Sequence, residues 1–309
     1  MTICVIGGAG FIGRQLVSML VDSGRNVQVV GRSRDLAHAL PKGALYTSCD
    51  SNDHEMLKKI LSDATEIIDL SYATVPKTSF DNPLYDLQAN LTPSVKLFDM
   101  ARNISKLKKL LIVSSGGTVY GNTSKSPTQE DAPTNPISPY GITKLAIERY
   151  AQMYQTMFDV PTLVLRPANA YGIGQRLATG QGFIAAAIAA ATNNSKVSIY
   201  GARGTVRDYI HVKDIAAGIL ASLDLGAPGE TFNIGTGVGH DNLQVLDLIR
   251  PLAQLAGNDF GVEILPTRKF DVPENILCSQ KLSLKTGWKS TINLKDGIEE
   301  VWHYSALHY

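Results

Sequence analysis

Cysteine is scarce in this sequence, and so is any excess of charge. The 309 residues include 3 cysteines, Cys4, Cys49 and Cys278. They are widely spaced and form no C-x-x-C pair, so we expect reduced thiols in a cytosolic protein rather than a zinc site. The formal net charge of +1 indicates no basic surface for nucleic acid or membrane, and we expect neither as a partner.

Long apolar segments are also missing. The longest apolar helical run, "GFIAAAIAAAT" from Gly182, is too short to span a bilayer. The start, "MTICVIGGAGFIG", lacks the charged region and the cleavage site of a signal peptide. The histidines are scattered without a recurring carboxylate–histidine spacing, so no metal site is predicted. These absences favour a cytoplasmic protein.

Strand and helix patterns alternate through the first half of the chain. Runs such as "ICVIG", "NVQVVG", "EIIDLSY" and "KLLIVSS" are separated by amphipathic helical stretches. This alternation predicts an α/β fold of the Rossmann type, a doubly wound parallel sheet with helices on both faces. After Tyr171 the pattern loosens. We predict a dinucleotide-binding domain over residues 1–170 with return segments near 205–235, and a mainly substrate-binding, smaller C-terminal lobe over 171–309, closing over the carboxyl ends of the strands.

A glycine-rich turn follows the first predicted strand. In "GGAGFIG" the glycines of the pattern are Gly7, Gly10 and Gly13. A tight turn, a close approach to a pyrophosphate and helix–strand packing each require a residue without Cβ. The helix that begins at Phe11 and Ile12 offers free N–H groups and a positive dipole end to the phosphates. This context predicts a dinucleotide site rather than an ordinary glycine turn.

The end of the second strand bears on the choice of cofactor. Proteins that bind NAD usually place an acid there to hold the adenosine ribose, but this chain reads "VVGRSRD" with Arg32 at that place. Arginine suits the 2′-phosphate of NADP, and a plain surface arginine is the alternative. Asp50, at the end of "YTSCD", is a candidate for the adenine amino group or for a helix cap.

A tyrosine and a lysine are four residues apart at the start of a predicted helix, in "NPISPYGITKLAIERY" from Asn135. Tyr140 and Lys144 therefore share one helix face. A free phenol, with a pKa of ~10, is a poor base at neutral pH. A nearby ammonium, together with the positive ring of an oxidised nicotinamide, favours the phenolate. The phenolate can then take a hydroxyl proton from a substrate while hydride leaves to the cofactor.

Five motifs that occur in order, "GGAGFIG", "VSSGGTVYG", "SPYGITK", "LRPANAYG" and "VRDYIHVKD", resemble the extended short-chain dehydrogenase/reductase family. Within it the chain resembles the branch of nucleotide-sugar epimerases and dehydratases that includes the UDP-galactose 4-epimerases, from Ile3 to about Trp302. The resemblance implies bound NAD, with NADP possible because of Arg32, and a nucleotide-diphosphate sugar as the partner. It also implies a homodimer in which helices around Leu87–Asn103 and Ala146–Phe158 pair across a two-fold axis.

The resemblance implies a role for each matching residue. Tyr140 would be the catalytic acid/base, and Lys144 would bind the nicotinamide ribose and lower the pKa of Tyr140. The other assignments are Asn90 near the nicotinamide, Asn169, Arg207 and Arg268 at the substrate diphosphate, and Asp271 at the nucleotide ribose. Two arginines from separate loops suit a pyrophosphate clamp. For either arginine, a salt bridge with Asp208 or Asp271 is the alternative.

The chain departs from the family pattern beside Val-Tyr-Gly. The family has a catalytic Ser or Thr three residues before this motif, where this chain has Gly116. If a side-chain hydroxyl contacts the substrate there, it comes from Thr118, which we favour, or from Ser115. The alternative is that both residues only end the strand. Sugar dehydratases have Asp-Glu just before the motif, and Gly117-Thr118 at that place disfavours dehydration.

We therefore predict a nucleotide-sugar 4-epimerase, which removes a hydride from C4 of the sugar, returns it to the other face and so regenerates its cofactor in each turnover. The alternative is an NADPH-dependent reductase of a 4-keto nucleotide sugar. It needs the same residues, and the presence of Arg32 favours this alternative. A non-catalytic NADP-sensing protein is a remote third reading, and the intact Tyr140–Lys144 pair disfavours it.

Overall fold

The structure is a computed structural model that describes residues 2–33, 40–50, 53–175, 182–268 and 271–308. Within those ranges the strands are β1 (Thr2–Ile6), β2 (Asn26–Gly31), β3 (Ala44–Ser48), β4 (Glu66–Asp69), β5 (Lys109–Val113), β6 (Thr162–Pro167), β7 (Asn169–Tyr171), β8 (Lys196–Tyr200), β9 (Val206–His211), β10 (Thr231–Ile234), β11 (Gly239–His240), β12 (Gly261–Leu265) and β13 (Glu274–Asn275). The helices are α1 (Phe11–Asp22), α2 (His54–Leu61), α3 (Pro76–Asp81), α4 (Pro83–Ala101), α5 (Gly116–Val119), α6 (Pro139–Phe158), α7 (Phe183–Thr192), α8 (Val212–Leu225), α9 (Asn242–Leu255), α10 (Gln280–Thr286) and α11 (Leu294–His308). No helix in the described part of the chain is long and apolar enough to cross a membrane.

Seven of the described strands form the main sheet. Its order is β3-β2-β1-β4-β5-β6-β10, and every neighbouring pair is parallel. The predicted Rossmann-type fold is confirmed. The direction of strand addition reverses between β1 and β4, and doubly wound sheets bind ligands outside the carboxyl ends of the strands at such a point.

Apolar side chains cover both faces of this sheet. On one face, Val5 and its register partner Ile68 pack in a cluster with α1 and α8. On the other face, the adjacent pair Cys4 and Ile67 packs in a cluster with α2, α4 and α6. Successive strand residues point to opposite faces, so a doubly covered parallel sheet requires the continuous apolar runs that the sequence shows.

Two long helices, α4 and α6, pack together beside the sheet. Helix α4 continues through Pro93, where the sequence allows a kink or a break. Helix α6 begins at a proline after Ser138, whose hydroxyl oxygen accepts from the Gly141 N–H at 3.1 Å. This serine cap and the proline at the first helical position fix the start of the helix. They thereby place Tyr140 and Lys144 in its first turns.

A smaller assembly follows β6 along the chain. Strand β9 pairs with β7, β11 and β13, while β8 pairs with β12, and a third apolar cluster joins these strands to α7, α9 and α11. The chain then returns to the main sheet, where α8 packs on α1 and β10 pairs with β6. Strand β9 lies inside the predicted return segment but belongs to the smaller sheet. The division into two domains stays a prediction.

Candidate active site

The glycine turn joins β1 to α1 at the carboxyl edge of the main sheet. Gly7 has a φ of 76°, in the left-handed region that favours glycine. A Cβ at Gly13 would lie 2.6 Å from the backbone of Gly8, and a Cβ at Gly10 would lie 3.1 Å from the Gly7 carbonyl oxygen. No described side chain caps α1, so the first-turn N–H groups, including those of Phe11 and Ile12, are available to an anion. These features fit the pyrophosphate of a dinucleotide.

Arg32 and Asp50 lie just beyond the ends of β2 and β3, the strands next to this turn. The Arg32 side chain is exposed, and its carbonyl oxygen accepts from the Ser48 hydroxyl at 3.1 Å. Asp53 rather than Asp50 caps α2, because its carboxylate accepts from the Met56 N–H at 3.1 Å. The helix-cap alternative for Asp50 is therefore wrong, and its role at the adenine stays a prediction.

Lys144 is buried on the inner face of α6. Its Nζ donates to the Val113 carbonyl oxygen at the end of β5, at 2.9 Å, and lies 3.9 Å from the ring centroid of Tyr72. Burial lowers the pKa of Lys144 to about 8, and nearby carboxylates, Asp69 first among them, oppose this decrease. The ammonium form therefore persists at neutral pH inside the protein.

The Tyr140 ring packs against the same Tyr72 side chain. Their ring centroids are 4.8 Å apart with an interplanar angle of 63°, and the Lys144 Nζ is 5.8 Å from the Tyr140 centroid. Burial raises the pKa of Tyr140, and the charge of Asp86 raises it further. Desolvation disfavours the phenolate, and the ammonium faces Tyr72. The predicted lowering of the Tyr140 pKa, which depends on the nicotinamide ring as well as on Lys144, stays a prediction. A phenolate at this position therefore needs further positive charge near the phenol.

Asn90 lies beneath the loop that follows β4. Its side-chain oxygen accepts from the Ala73 N–H at 2.7 Å. Its side-chain nitrogen donates to the Asp86 carbonyl oxygen at 2.7 Å and to the Thr74 hydroxyl at 3.1 Å. These bonds hold the loop that carries Tyr72 against α4. Asn90 therefore positions this loop, and its contact with a cofactor stays a prediction.

The short helix α5 explains the glycine where the family has a serine or threonine. A Cβ at Gly116 would lie 2.4 Å from Leu277 Cδ1 and 2.9 Å from the Arg166 carbonyl oxygen. No larger residue fits there unless the protein moves. By contrast, a Cβ at Gly117 would have only ordinary contacts, the nearest at 3.7 Å. The packing around position 116 therefore disfavours a hydroxyl-bearing side chain there.

Two hydroxyls beside these glycines remain candidates. The Thr118 hydroxyl donates to the Ser115 carbonyl oxygen at 3.4 Å, whereas the Ser115 hydroxyl has no hydrogen bond to another described residue. A Cβ at Gly117 would lie 3.8 Å from the Ser115 Oγ and 3.7 Å from both the Oδ1 and the Nδ2 of Asn169. Ser115 and Asn169 therefore border the same space. The sequence favours Thr118, but this geometry favours Ser115.

Four polar side chains share one face of the smaller sheet. Asn275 is the register partner of Arg207, and Asn169 is the partner of Tyr209. Because residues two apart on a strand point to the same side, all four share one face. Asn275 donates to the Gly116 carbonyl oxygen at 3.0 Å, so this face of the smaller sheet is the one next to α5. Among the described residues, Asn169 Nδ2, the Tyr209 hydroxyl and Asn275 Oδ1 are buried without a hydrogen-bond partner, so this face is suited to a polar ligand.

Arg207 is the positive charge of this face. Its Nη1 donates to the Val206 carbonyl oxygen at 2.8 Å, and no described carboxylate lies within 4.0 Å of its guanidinium. The neighbouring Asp208 carboxylate instead accepts from the N–H groups of Thr236, Gly237 and Leu277, so the Asp208 salt-bridge alternative is wrong for Arg207. Burial lowers the pKa of Arg207. A half-buried guanidinium of this kind is suited to an anionic ligand.

Arg268 and Asp271 form a bidentate pair close to Arg207. Arg268 Nε donates to Asp271 Oδ2 at 2.7 Å and its Nη2 to Oδ1 at 3.1 Å. The guanidinium also stacks on Tyr200, 3.8 Å from the ring centroid. The charges of both residues act on Arg207, so the structure brings the three together. The salt-bridge alternative is observed for Arg268, and the diphosphate and ribose contacts of this pair stay predictions.

The sequence does not predict three polar residues of the site, Tyr72, Asp86 and Asn275, and it assigns no role to a fourth, Tyr209. Only Tyr72 had a signal, its place directly after the strand run "EIIDLSY". The other three become notable only through burial among segments that are distant in the sequence. Among the described residues, no group of three His, Cys, Asp or Glu side chains could hold a metal ion.

Comparisons with known proteins identify the family and support the fold. The profile of the NAD dependent epimerase/dehydratase family matches residues 3–235. Over 305 residues the chain is 31% identical to the UDP-glucose 4-epimerase of Mycolicibacterium smegmatis, with 95% of each chain covered. The structure is similar to that of the Thermotoga maritima UDP-glucose 4-epimerase with UDP-glucose, with a TM-score of 0.92, 32% identity and 100% of both chains covered. For the Thermus thermophilus UDP-glucose 4-epimerase in complex with NAD, the TM-score is 0.91, with 28% identity and 100% of both chains covered.

Proposed function

The chain belongs to the NAD dependent epimerase/dehydratase family, and from this premise we propose that it is a nucleotide-sugar 4-epimerase. The names of its relatives support a UDP-linked hexose as substrate, in the glucose/galactose or the N-acetyl form. The observation that carries the proposal is the contact network of α5. On one side, Thr118 approaches Gly141 of α6. On the other, Gly116 binds Asn275, the neighbour of Arg207.

The reaction assigns a task to each residue of this network. Tyr140 removes the proton of the C4 hydroxyl as C4 becomes a carbonyl, and later returns it. Ser115, or Thr118 in its place, donates a hydrogen bond to the C4 oxygen, and the Lys144 ammonium stabilises the phenolate. When bound, NAD would supply the acceptor and donor of the C4 hydride and, in its oxidised ring, the positive charge that Tyr140 lacks. Arg207 and Arg268 hold the diphosphate while the 4-keto sugar rotates about it.

The residues at the glycine turn fit NAD. The turn and the free N–H groups of α1 would hold the pyrophosphate, Asp50 the adenine and Lys144 the nicotinamide ribose. Relatives solved with NAD support this cofactor, while Arg32 keeps NADP and the reductase as the second candidate. The test is to release and identify the nucleotide carried by freshly purified protein. NAD at close to one per chain supports the epimerase, whereas an empty site that takes up and exchanges NADPH supports the reductase.

Replacing Tyr140 by Phe tests the chemistry directly. We expect Tyr140→Phe to lower turnover of UDP-galactose by ~10²–10⁴-fold, because general acid–base catalysis is lost, while bound NAD is retained. Tyr150→Phe is the matched control, since this tyrosine lies on the exposed side of the same helix and should leave turnover unchanged. Normal turnover in Tyr140→Phe would refute the mechanism. Loss of both turnover and bound NAD would indicate a misfolded variant.

We also propose a homodimer formed through α4 and α6. Their outer faces expose large apolar side chains, namely Leu84, Leu87, Met153, Met157 and Phe158. Exposed apolar side chains on paired helices are typical of an interface, and two helices from each chain can pair across a two-fold axis. Light scattering after size exclusion should give twice the mass of the chain. A Met157→Glu variant should give the mass of one chain, and a monomeric wild type would contradict the proposal.

A further inference from the structure

The Lys144 ammonium has an unusual environment for a buried charge. Only 7% of the residue is exposed, and its one hydrogen bond among the described residues is to the neutral Val113 carbonyl oxygen. No described carboxylate lies within 4.0 Å of it. Removing an ammonium from water without a close counter-charge is costly. To stay charged, Lys144 therefore needs favourable contacts with other groups.

The face of the Tyr72 ring meets this need. The Lys144 Nζ lies 3.9 Å from the ring centroid, within the range of a cation–π interaction, which is strongest at desolvated sites. Burial raises the pKa of Tyr72, so its ring stays neutral. The Tyr72 hydroxyl lies 3.5 Å from Asp86 Oδ1, and Thr74 donates to the same oxygen. The ring is thus held between α4 and α6.

The ring also contacts the catalytic tyrosine. Its centroid is 4.8 Å from that of Tyr140, in an edge-to-face arrangement that such pairs prefer. One side chain therefore touches both members of the reactive pair. We propose that Tyr72 is a positioning residue, whose ring face keeps the Lys144 ammonium charged and in place beside Tyr140. Its consequence for catalysis rests on the proposed epimerase function, but its effect on Lys144 does not.

Other charges also act on the Lys144 ammonium at longer range. Three carboxylates favour its protonated form, those of Asp69 at the end of β4, Glu148 on α6 and Asp86 on α4. Because these carboxylates remain when the ring is removed, Lys144 should still titrate, but at lower pH. A desolvated cation–π interaction corresponds to a decrease of about 1 pH unit in its titration midpoint.

The test is an NMR titration of the full-length, cofactor-free protein labelled with [13Cε]lysine. The Lys144 signal is assigned by its absence in Lys144→Arg. We expect a wild-type midpoint near pH 8, a decrease of about 1 unit in Tyr72→Leu and no significant change in Tyr72→Phe, which keeps the ring. Tyr72→Met serves if the Leu variant does not fold, because methionine fills irregular gaps. Phe260→Leu is the control for loss of a ring elsewhere, since Phe260 lies by Arg250 in the smaller assembly.

Two results would overturn the proposal. An unchanged midpoint in Tyr72→Leu would show that the ring does not stabilise the ammonium, and an equal decrease in Tyr72→Phe would assign the effect to the hydroxyl. The pH dependence of turnover then links the effect to catalysis, and its alkaline limb should move with the Lys144 midpoint. A wild type without epimerase activity but with the expected titrations refutes the proposed function alone. An active wild type whose Tyr72→Leu midpoint is unchanged refutes the role of Tyr72 alone.

Discussion

Adjacent glycines in α5 should respond oppositely to the same substitution. At Gly116 a Cβ would lie 2.4 Å from Leu277 Cδ1 and 2.9 Å from the Arg166 carbonyl oxygen, whereas at Gly117 the nearest atoms are the Asn169 amide at 3.7 Å. Leu277 is fully buried, and the carbonyl belongs to strand β6, so neither can move freely. Overpacking of this kind costs about 1–3 kcal/mol. We expect Gly116→Ala to be less stable than Gly117→Ala by that amount.

The comparison isolates packing from chain entropy. Neither glycine has a φ in the left-handed region, so alanine fits both backbones, and each substitution gains about 0.4–1 kcal/mol by restricting the unfolded chain. Gly117→Ala should thus be neutral or slightly stabilising. Urea unfolding, read as a change in midpoint at constant slope, measures both variants.

A double variant checks the cause. Leu277→Ala removes the closest contact, so it should cost less in the Gly116→Ala background than in the wild type, which is a non-additivity typical of residues in contact. The rescue should be partial, because the Arg166 carbonyl oxygen remains. Equal stabilities of Gly116→Ala and Gly117→Ala would refute the packing explanation for the missing hydroxyl.

Three further predictions concern the charged and hydroxyl groups. Arg207→Met should weaken binding of UDP by ~10-fold or more without loss of stability, because it removes a half-buried cation that has no described carboxylate partner. Calorimetry and urea unfolding check the two parts, and unchanged UDP affinity would exclude Arg207 from the clamp. Ser115→Ala should lower kcat by about 10²-fold and Thr118→Ala by less than about 10-fold, and the reverse order in steady-state assays would restore the preference for Thr118. Lys144→Met should stabilise the protein by up to about 3 kcal/mol at pH 7, because the pKa of Lys144 falls from 10.5 to about 8 on folding. The unfolded chain keeps this proton up to higher pH, so the gain in stability of Lys144→Met should shrink as pH rises from 8 towards 10.5. An equal gain in urea titrations at pH 7 and 9.5 would show that it does not come from the ionisation of Lys144.

The sequence predicts those features that depend on neighbouring residues. Periodic apolar runs, the turn at Gly7 and the serine–proline start before Tyr140 are local, so the fold class and the glycine turn could be read directly. The contacts of the site are not local. Register between β9 and β13 places Asn275 beside Arg207, and a two-residue strand leaves no pattern in the sequence.

Burial and local hydrogen bonds bear on two site predictions in ways that spacing along the chain does not show. The expected effect of Lys144 on Tyr140 considered only the sign of its charge, but desolvation acts on both groups, and its size depends on packing around Tyr72. The preference for Thr118 over Ser115 stays a prediction, but it did not consider the hydrogen bond that a helical threonine makes to its own backbone. Neither effect can be obtained from spacing along the chain.

The path of the chain between β6 and β10 has a consequence for synthesis. The partner of β6 at the sheet edge and the helix that covers α1 both come from residues made after β7, β8 and β9. A nascent chain that has emerged only as far as Tyr171 therefore exposes an unpaired strand edge and the apolar side of α1. Such surfaces favour association with other chains. The nucleotide-binding part can be completed on the ribosome only once β10 has emerged, and by then three strands of the smaller assembly have already left the exit tunnel.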